Sequence, residues 1–396
     1  MKIIQINCVY KEGSTGKIAH DIHKGLLSAG EESIVICGRR AKKEEGVYGI
    51  ASEPYAKFNN LLSRITGVMY GGCYFSTEKI KRIIKKEKPD IVHLHCINGF
   101  FCNIFRLLEF LKKNNIKTVL TLHAEFMYTA NCGHAYECEK WKTGCGNCPQ
   151  LKSTMKSILF DNTHLSWVKM KKAFEDFDNL IVTSVSGWLK NRAEQSPILA
   201  DKKHVVVLNG VDTNIFKIYE TENLRKELNL EDKKVLFHVT ANFDSETKGR
   251  RYILDLAERL RGENIVFLIA GKCDNKPENA ENIIFLGNVK DQEKLAKYYS
   301  LADLTVLASK RETFSMPVAE SLCCGTAVVG FKAGAPEEIT IPEYSKFVSH
   351  GDVDALEKAT RIFLEKNFQE SEISQKASKK YAKETMFKGY VETYEN

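Results

Sequence analysis

Short apolar runs of strand length alternate with helix-period segments along almost the whole chain, in two separate series. The first comprises residues 3–6, 33–37, 91–95, 118–121 and 179–184. The second opens after the Asn209-Gly210 turn, with residues 235–239, 265–270, 283–286, 304–307 and 327–330. Alternation of this kind implies βαβ units and a parallel sheet in each series. An α/β protein of two Rossmann-like domains is therefore expected, one over residues 1–208 and one over residues 209–380. The length agrees, because 396 residues are too many for one ordinary core and suit two domains of roughly 150 to 200 residues. A hydrophobic content of 43% is enough to bury both.

In open α/β sheets ligands bind beyond the carboxyl ends of the strands. The notable polar residues fall there: His95, His123 and Ser184 end strands of the first series, while Gly271 and Glu312 follow strands of the second. The stretch Arg311-Glu312-Thr-Phe-Ser-Met-Pro-Val-Ala-Glu320 is the most telling. Pro317 favours a first helical turn, so the amides of residues 314–318 would form a helix N-terminus that attracts phosphate. The flanking carboxylates of Glu312 and Glu320 can bind sugar hydroxyls, and together these groups describe a nucleotide-sugar site.

These residues resemble the E-x7-E motif of retaining glycosyltransferases of the GT-B fold, specifically glycosyltransferase family 4. Lys248-Gly249 resembles the family's pyrophosphate-binding lysine, Asn209-Gly210-Val211-Asp212 with Phe216 its interdomain segment, and Ser186-Gly187-Trp188-Leu189 its S-x-W-L helix start. The pieces keep the family's order over nearly the whole chain. The resemblance implies an N-terminal acceptor domain, a C-terminal nucleotide-sugar domain, and a last helix, 381–396, that packs back on the first. It gives Glu312 the donor sugar, Glu320 the ribose hydroxyls, Lys248 the departing diphosphate, and Phe314, Ser315 and Met316 backbone amides to sugar and phosphate. It places His123 near the transferred sugar, where an imidazole can donate to a hydroxyl or support charge at the reacting carbon. His93 and His95 read as a buried, hydrogen-bonded pair.

Gly13-Ser14-Thr15-Gly16-Lys17 follows the first strand and opens a helix. It fails as a P-loop, having Lys11 and Ile18 at its ends, and the resemblance puts Gly16 against donor phosphate and acceptor. The chain departs from the family at Asn242, where an arginine is usual; Arg250, Arg251 and Arg311 are the candidates to replace it. No cofactor is expected for catalysis, because a lysine and a helix dipole can stand in for a divalent ion. Asp176-Phe177-Asp178 precedes a strand instead of ending one and reads as surface.

Cys132, Cys138, Cys145 and Cys148, with one C-x2-C knuckle, have a spacing suited to a structural zinc. The insert 131–150 resembles one in a polysaccharide-synthesising subgroup of the colanic-acid type. The other eight cysteines read as small core residues. The N-terminus lacks the apolar length of a signal peptide and no apolar run is long enough to span a bilayer, so a cytoplasmic location is expected.

Charge is uneven. Residues 1–200 carry 29 Lys+Arg against 19 Asp+Glu, and the rest 29 against 32. The surplus suits an anionic partner, such as a phospholipid surface at the inner face of the cell membrane or a lipid-pyrophosphate acceptor. No nucleic-acid motif accompanies it. Residues 76–88 form a basic amphipathic pattern whose Ile80, Ile83 and Ile84 would pack inward while its lysines face solvent or acidic headgroups.

The activity these features imply is transfer of a hexose from a UDP- or GDP-sugar to a lipid-linked or saccharide acceptor, with retention of configuration, in surface-polysaccharide assembly. A UDP-sugar 2-epimerase of the same architecture and a non-catalytic metal-binding protein are the competing readings.

Overall fold

The computed structural model of the chain describes residues 1–41, 44–278 and 280–396. They divide into two compact units, one of Met1–Leu208 with Phe387–Asn396, the other of Asn209–Met386.

The first unit is built on seven strands: β1 (Lys2–Asn7), β2 (Glu32–Cys37), β3 (Val47–Gly49), β4 (Ile91–Leu94), β5 (Lys117–Leu122), β6 (Leu180–Ser184) and β7 (Lys203–Val206). Their spatial order is β3-β2-β1-β4-β5-β6-β7, and every neighbouring pair runs parallel. The chain winds outward from β1 to β3, then crosses to the other side of β1. The winding therefore reverses between β1 and β4, and loops leaving those two strands part to form a crevice. The central strands are buried along nearly their full length, as a parallel sheet covered on both faces requires.

Residues from Phe387 onward complete this unit. Tyr390 and Tyr394 of the helix Lys383–Glu395 are fully buried, and Tyr394 OH lies 2.7 Å from His93 Nδ1. Gly25 permits the approach, since a Cβ there would fall 2.6 Å from the Phe387 ring.

The second unit repeats the design with β8 (Lys234–Asn242), β9 (Ile265–Lys272), β10 (Ile283–Gly287), β11 (Leu304–Leu307), β12 (Val328–Phe331) and β13 (Ser345–Val348). The order β10-β9-β8-β11-β12-β13 puts its reversal between β8 and β11. Again all neighbours are parallel. Among the described residues no helix is long and apolar enough to cross a membrane.

Candidate active site

The loops that leave β8 and β11 bring Lys248 and Glu312 together, with Nζ 2.7 Å from Glu312 Oε1. The loops are tied by Lys310 N donating to Thr247 O at 2.9 Å. Gly249, at φ +83°, lets them close: a Cβ there would lie 2.1 Å from Ala308 O. The Glu312 backbone is fixed in turn, donating to Ala333 O at 2.9 Å and accepting from Ala335 N at 3.2 Å. An ion pair thus stands at the carboxyl end of the two strands between which the winding reverses, where this fold binds ligands.

Immediately after Glu312 the helix Met316–Cys323 begins, with Pro317 in its first turn. Ser315 precedes it at φ 85°, an uncommon backbone for a residue with a Cβ. Its hydroxyl is buried without a hydrogen-bond partner and does not cap the helix. Strain and an unsatisfied hydroxyl at a helix N-terminus suit an anion-binding turn better than they suit stability. Phe314 is buried against Tyr381, so it can offer a ligand only its backbone.

One turn along, Glu320 accepts a hydrogen bond from Tyr299 OH at 3.1 Å. Tyr299 sits on the helix Gln292–Leu301, which Asp291 caps through Glu293 N and Lys294 N. Burial, and then the neighbouring Glu320 carboxylate, push the Tyr299 phenol well above its ordinary pKa, so it remains a donor. Tyr299 carries no motif in the sequence; only the fold shows that it orients Glu320. His238, also missed, is buried in β8 and donates from Nδ1 to Val306 O at 2.9 Å. Burial is the main cause that holds it down to about 4, and Lys248 adds to the shift, so it stays neutral beside that cation.

The three arginines named as replacements at Asn242 are placed as follows. Arg250 pairs with Asp244 and lies over Phe243. Arg251 bonds Tyr252 OH and covers that ring at 4.4 Å. Arg311 adjoins Glu312 in the chain, and its Nε is buried. Asn242 itself turns back to accept from Asp244 N at 3.1 Å.

In the first unit, Asn7 ends β1 and is fully buried. Its amide donates to Val9 O at 2.9 Å and Thr15 O at 3.1 Å, and its carbonyl accepts from Cys96 N at 3.1 Å. This side chain couples the loops after β1 and β4. It also shapes the turn before the helix Gly13–Ser28, where Gly16 O accepts from Lys11 N at 3.0 Å. A Cβ on Gly16 would sit 3.2 Å from Val9 Cγ2.

His123 follows β5 and is buried. Its Nε2 lies 3.2 Å from His95 Nδ1, and His95 Nε2 lies 3.1 Å from Gln5 Oε1. Burial brings His123 down to about 4 and holds His95 well below the histidine range, so both are neutral at physiological pH. His123 is thus tied through His95 to Gln5. His93 and His95 are both buried as expected, but they do not bond each other. Their rings lie 3.9 Å apart, and His93 bonds Tyr394 OH and Thr121 Oγ1, each at 2.7 Å.

The insert brings its four cysteines to one place. Cys132, Cys138, Cys145 and Cys148 are free thiols that line one small cavity with Trp141 and Pro149. Among the described residues, however, no group of three or more His, Cys, Asp or Glu side chains is placed to hold a metal ion. That arrangement lends the zinc expectation no support. Burial raises the Cys132 and Cys145 thiols to about 12. The insert is instead anchored by fully buried Glu125, which accepts from Arg192 Nε at 2.8 Å and Ala135 N at 2.7 Å. Trp141 packs under the Arg192 guanidinium at 5.0 Å. Asp176 and Asp178 are exposed ahead of β6, as expected.

Known proteins share this organisation. Residues 15–215 match the model described as Glycosyltransferase Family 4, and residues 220–385 match that of Glycosyl transferases group 1. Over its full length the chain is 23% identical to a protein of Escherichia coli K12 named as a colanic acid biosynthesis glycosyl transferase, WcaC, covering 100% of both. Among solved structures, sucrose-phosphate synthase from Thermosynechococcus elongatus superposes with a TM-score of 0.72 at 16% identity, covering 100% of this chain and 98% of that one. Anabaena Alr3699/HepE, in complex with UDP and glucose, gives 0.66 at 16% identity, with 99% of each chain covered. At these identities the structures establish the fold, which is that of the GT-B enzymes.

Proposed function

The chain belongs to glycosyltransferase family 4, and on that premise we propose that it transfers a hexose from a UDP- or GDP-sugar to a lipid-linked or saccharide acceptor, with retention at the anomeric carbon, in the assembly of a surface polysaccharide. The observation that carries this reading is the Lys248–Glu312 ion pair set directly before the strained N-terminus of the helix Met316–Cys323. UDP and glucose in the HepE complex support a nucleotide-sugar donor, and the full-length likeness to WcaC supports the polysaccharide role.

Each group then has a task. The donor diphosphate takes Lys248 as its counter-ion and releases Glu312 to the sugar hydroxyls. Amides at Phe314, Ser315 and Met316 face the phosphate, and Gly16 offers its amide to phosphate or acceptor. Glu320, oriented by Tyr299, holds the ribose. The acceptor hydroxyl approaches from the face the diphosphate leaves and passes its proton to the departing phosphate oxygen, so one C1–O bond replaces another with configuration retained. His123 stands near the transferred sugar, where its imidazole donates to a hydroxyl or supports charge at the reacting carbon. Positive charge comes from Lys248 and the helix N-terminus, which is why no divalent ion is invoked. The acceptor's lipid and the basic first half of the chain are consistent with peripheral association with anionic membrane.

Incubation with a panel of UDP- and GDP-hexoses, with chromatography for released nucleoside diphosphate and NMR of the product's anomeric proton, tests the proposal. Release from at least one donor with an axial product from an axial donor is expected. No binding and no release across the panel would overturn the assignment.

A further inference from the structure

The helix Glu53–Thr66 turns its apolar stripe outward. Phe58, Leu61, Leu62 and Ile65 recur at i, i+3, i+4 and i+7, the spacing that usually faces a core. Yet the buried residues of this helix are Ala56, Asn59 and Ser63, while Phe58 is 58% and Leu61 48% exposed. Asn59 fixes the orientation: its Oδ1 accepts from Cys73 N at 2.8 Å and its Nδ2 donates to Tyr55 O at 2.9 Å.

A second apolar segment is fastened to the end of this helix. Ile158 N donates to Arg64 O at 2.7 Å, Arg64 Nε to Lys156 O at 3.1 Å, and Asn162 Nδ2 to Thr66 O at 2.7 Å. This presents three consecutive residues, Ile158, Leu159 and Phe160, with Leu159 63% and Phe160 56% exposed. The two segments form an apolar surface larger than scattered exposed side chains would make.

The surrounding free charge is mainly positive. The helix and residues 151–161 carry Lys57, Arg64, Lys152 and Lys156, all exposed, while their two carboxylates are engaged, Glu53 by Arg39 and Arg40 and Asp161 by Cys148 N and Thr163. By contrast, the basic helix Tyr74–Glu87 spends much of its charge internally. Lys81 pairs with Glu78 at 2.9 Å, Lys79 donates to Gly49 O at 2.8 Å, and Lys85 lies over Phe110 at 5.7 Å.

We propose that the outward stripe of Glu53–Thr66 and the loop 158–160 form one surface that docks on an anionic phospholipid bilayer, with Phe58, Leu61, Leu62, Leu159 and Phe160 entering the interface and Lys57, Arg64 and Lys156 meeting headgroup phosphates. Apolar residues inserted at the headgroup boundary with flanking cations are what interfacial segments use. A protein partner would be expected to meet carboxylates as well as cations at the rim, and the two carboxylates here, Glu53 and Asp161, are already engaged within the chain. The inference deepens the membrane-associated reading above, and it moves the contact away from the helix whose sequence first suggested it.

The test uses the full chain with vesicles of phosphatidylcholine alone and of phosphatidylcholine with phosphatidylglycerol. Sedimentation with the anionic vesicles is expected. Leu61→Gln, Leu62→Gln, Leu159→Gln and Phe160→Gln combined should lower partitioning by about tenfold or more. Lys57→Gln with Lys156→Gln should remove several-fold and weaken the salt dependence. The single variant Phe160→Trp, a milder change, should show blue-shifted emission on anionic vesicles relative to the unsubstituted chain. Equal partitioning of the quadruple variant, or no emission shift, overturns the docking surface. A dimer in solution that the quadruple variant converts to monomer also overturns it, by showing that a second copy covers the face. Binding of UDP or GDP, measured in parallel without lipid, reports on the donor site separately.

Discussion

Lys248 Nζ stands 2.7 Å from Glu312 Oε1, joining the loops after β8 and β11 at the point where the second sheet reverses its winding. The pair holds a cation and a carboxylate in readiness, and a diphosphate would exchange one for the other. Lys248→Ala should therefore lower kcat more than it weakens donor binding, because the cation is most useful as charge builds on the leaving group. A loss of a charge-assisted contact worth about 1.5–3 kcal/mol corresponds to about 10- to 150-fold in kcat. Steady-state kinetics beside calorimetric donor affinity separate the two effects.

Glu320 and Tyr299 predict the opposite split. Glu320→Ala should weaken nucleoside diphosphate binding by about 1.5–3 kcal/mol, since the ribose loses charge-assisted hydrogen bonds. Tyr299→Phe removes only the hydroxyl that aims the carboxylate and should cost about 0.5–1.5 kcal/mol in the same measurement. Titration calorimetry with UDP and GDP checks both, and equal affinities in all three proteins would exclude a ribose contact by Glu320.

Buried neutral histidines set an acid limit. His23, His123 and His238 are held at about 4 by burial, and His93 and His95 well below their usual 6.5. Above pH 6.5 neither the native nor the unfolded chain binds these protons, so stability does not change. As pH falls from about 6.5 toward about 4, the unfolded chain takes up protons that the native one refuses, and stability declines. Each such histidine contributes up to about 1.4 kcal/mol per pH unit in that window. Urea midpoints measured across the window should fall with pH, and His95→Gln should reduce the slope by about one proton.

Glu125 is buried with the Arg192 guanidinium 2.8 Å away. Arg192→Met leaves that carboxylate without its cation and should destabilise the chain by about 3–5 kcal/mol. Nucleoside diphosphate affinity should change little, because the insert and the donor residues belong to different units. Denaturant unfolding followed by calorimetry on the same variant separates the two readouts.

The sequence by itself determined the repeated βαβ architecture and the residues that stand at its strand ends. A strand buried on both faces must be written as a continuous apolar run, and that is visible without a structure. It did not show the short edge strands β3 and β13, whose sequences hold no such run, or β7, which opens on Lys203 and His204 before its valines. The Lys248, Glu312 and Glu320 motifs were legible because their spacing is local. Their partners were not. Tyr299 meets Glu320 across 21 positions, His95 meets His123 across 28, and Glu125 meets Arg192 across 67. Contacts over such separations depend on strand order and register, which periodicity does not encode. The same holds for the helix Glu53–Thr66. Its apolar stripe was written in the chain, but only the anchoring of Asn59 decided that the stripe faces outward. The cysteine spacing was equally plain in the sequence, whereas the buried Glu125–Arg192 pair that anchors the insert appeared only in the fold.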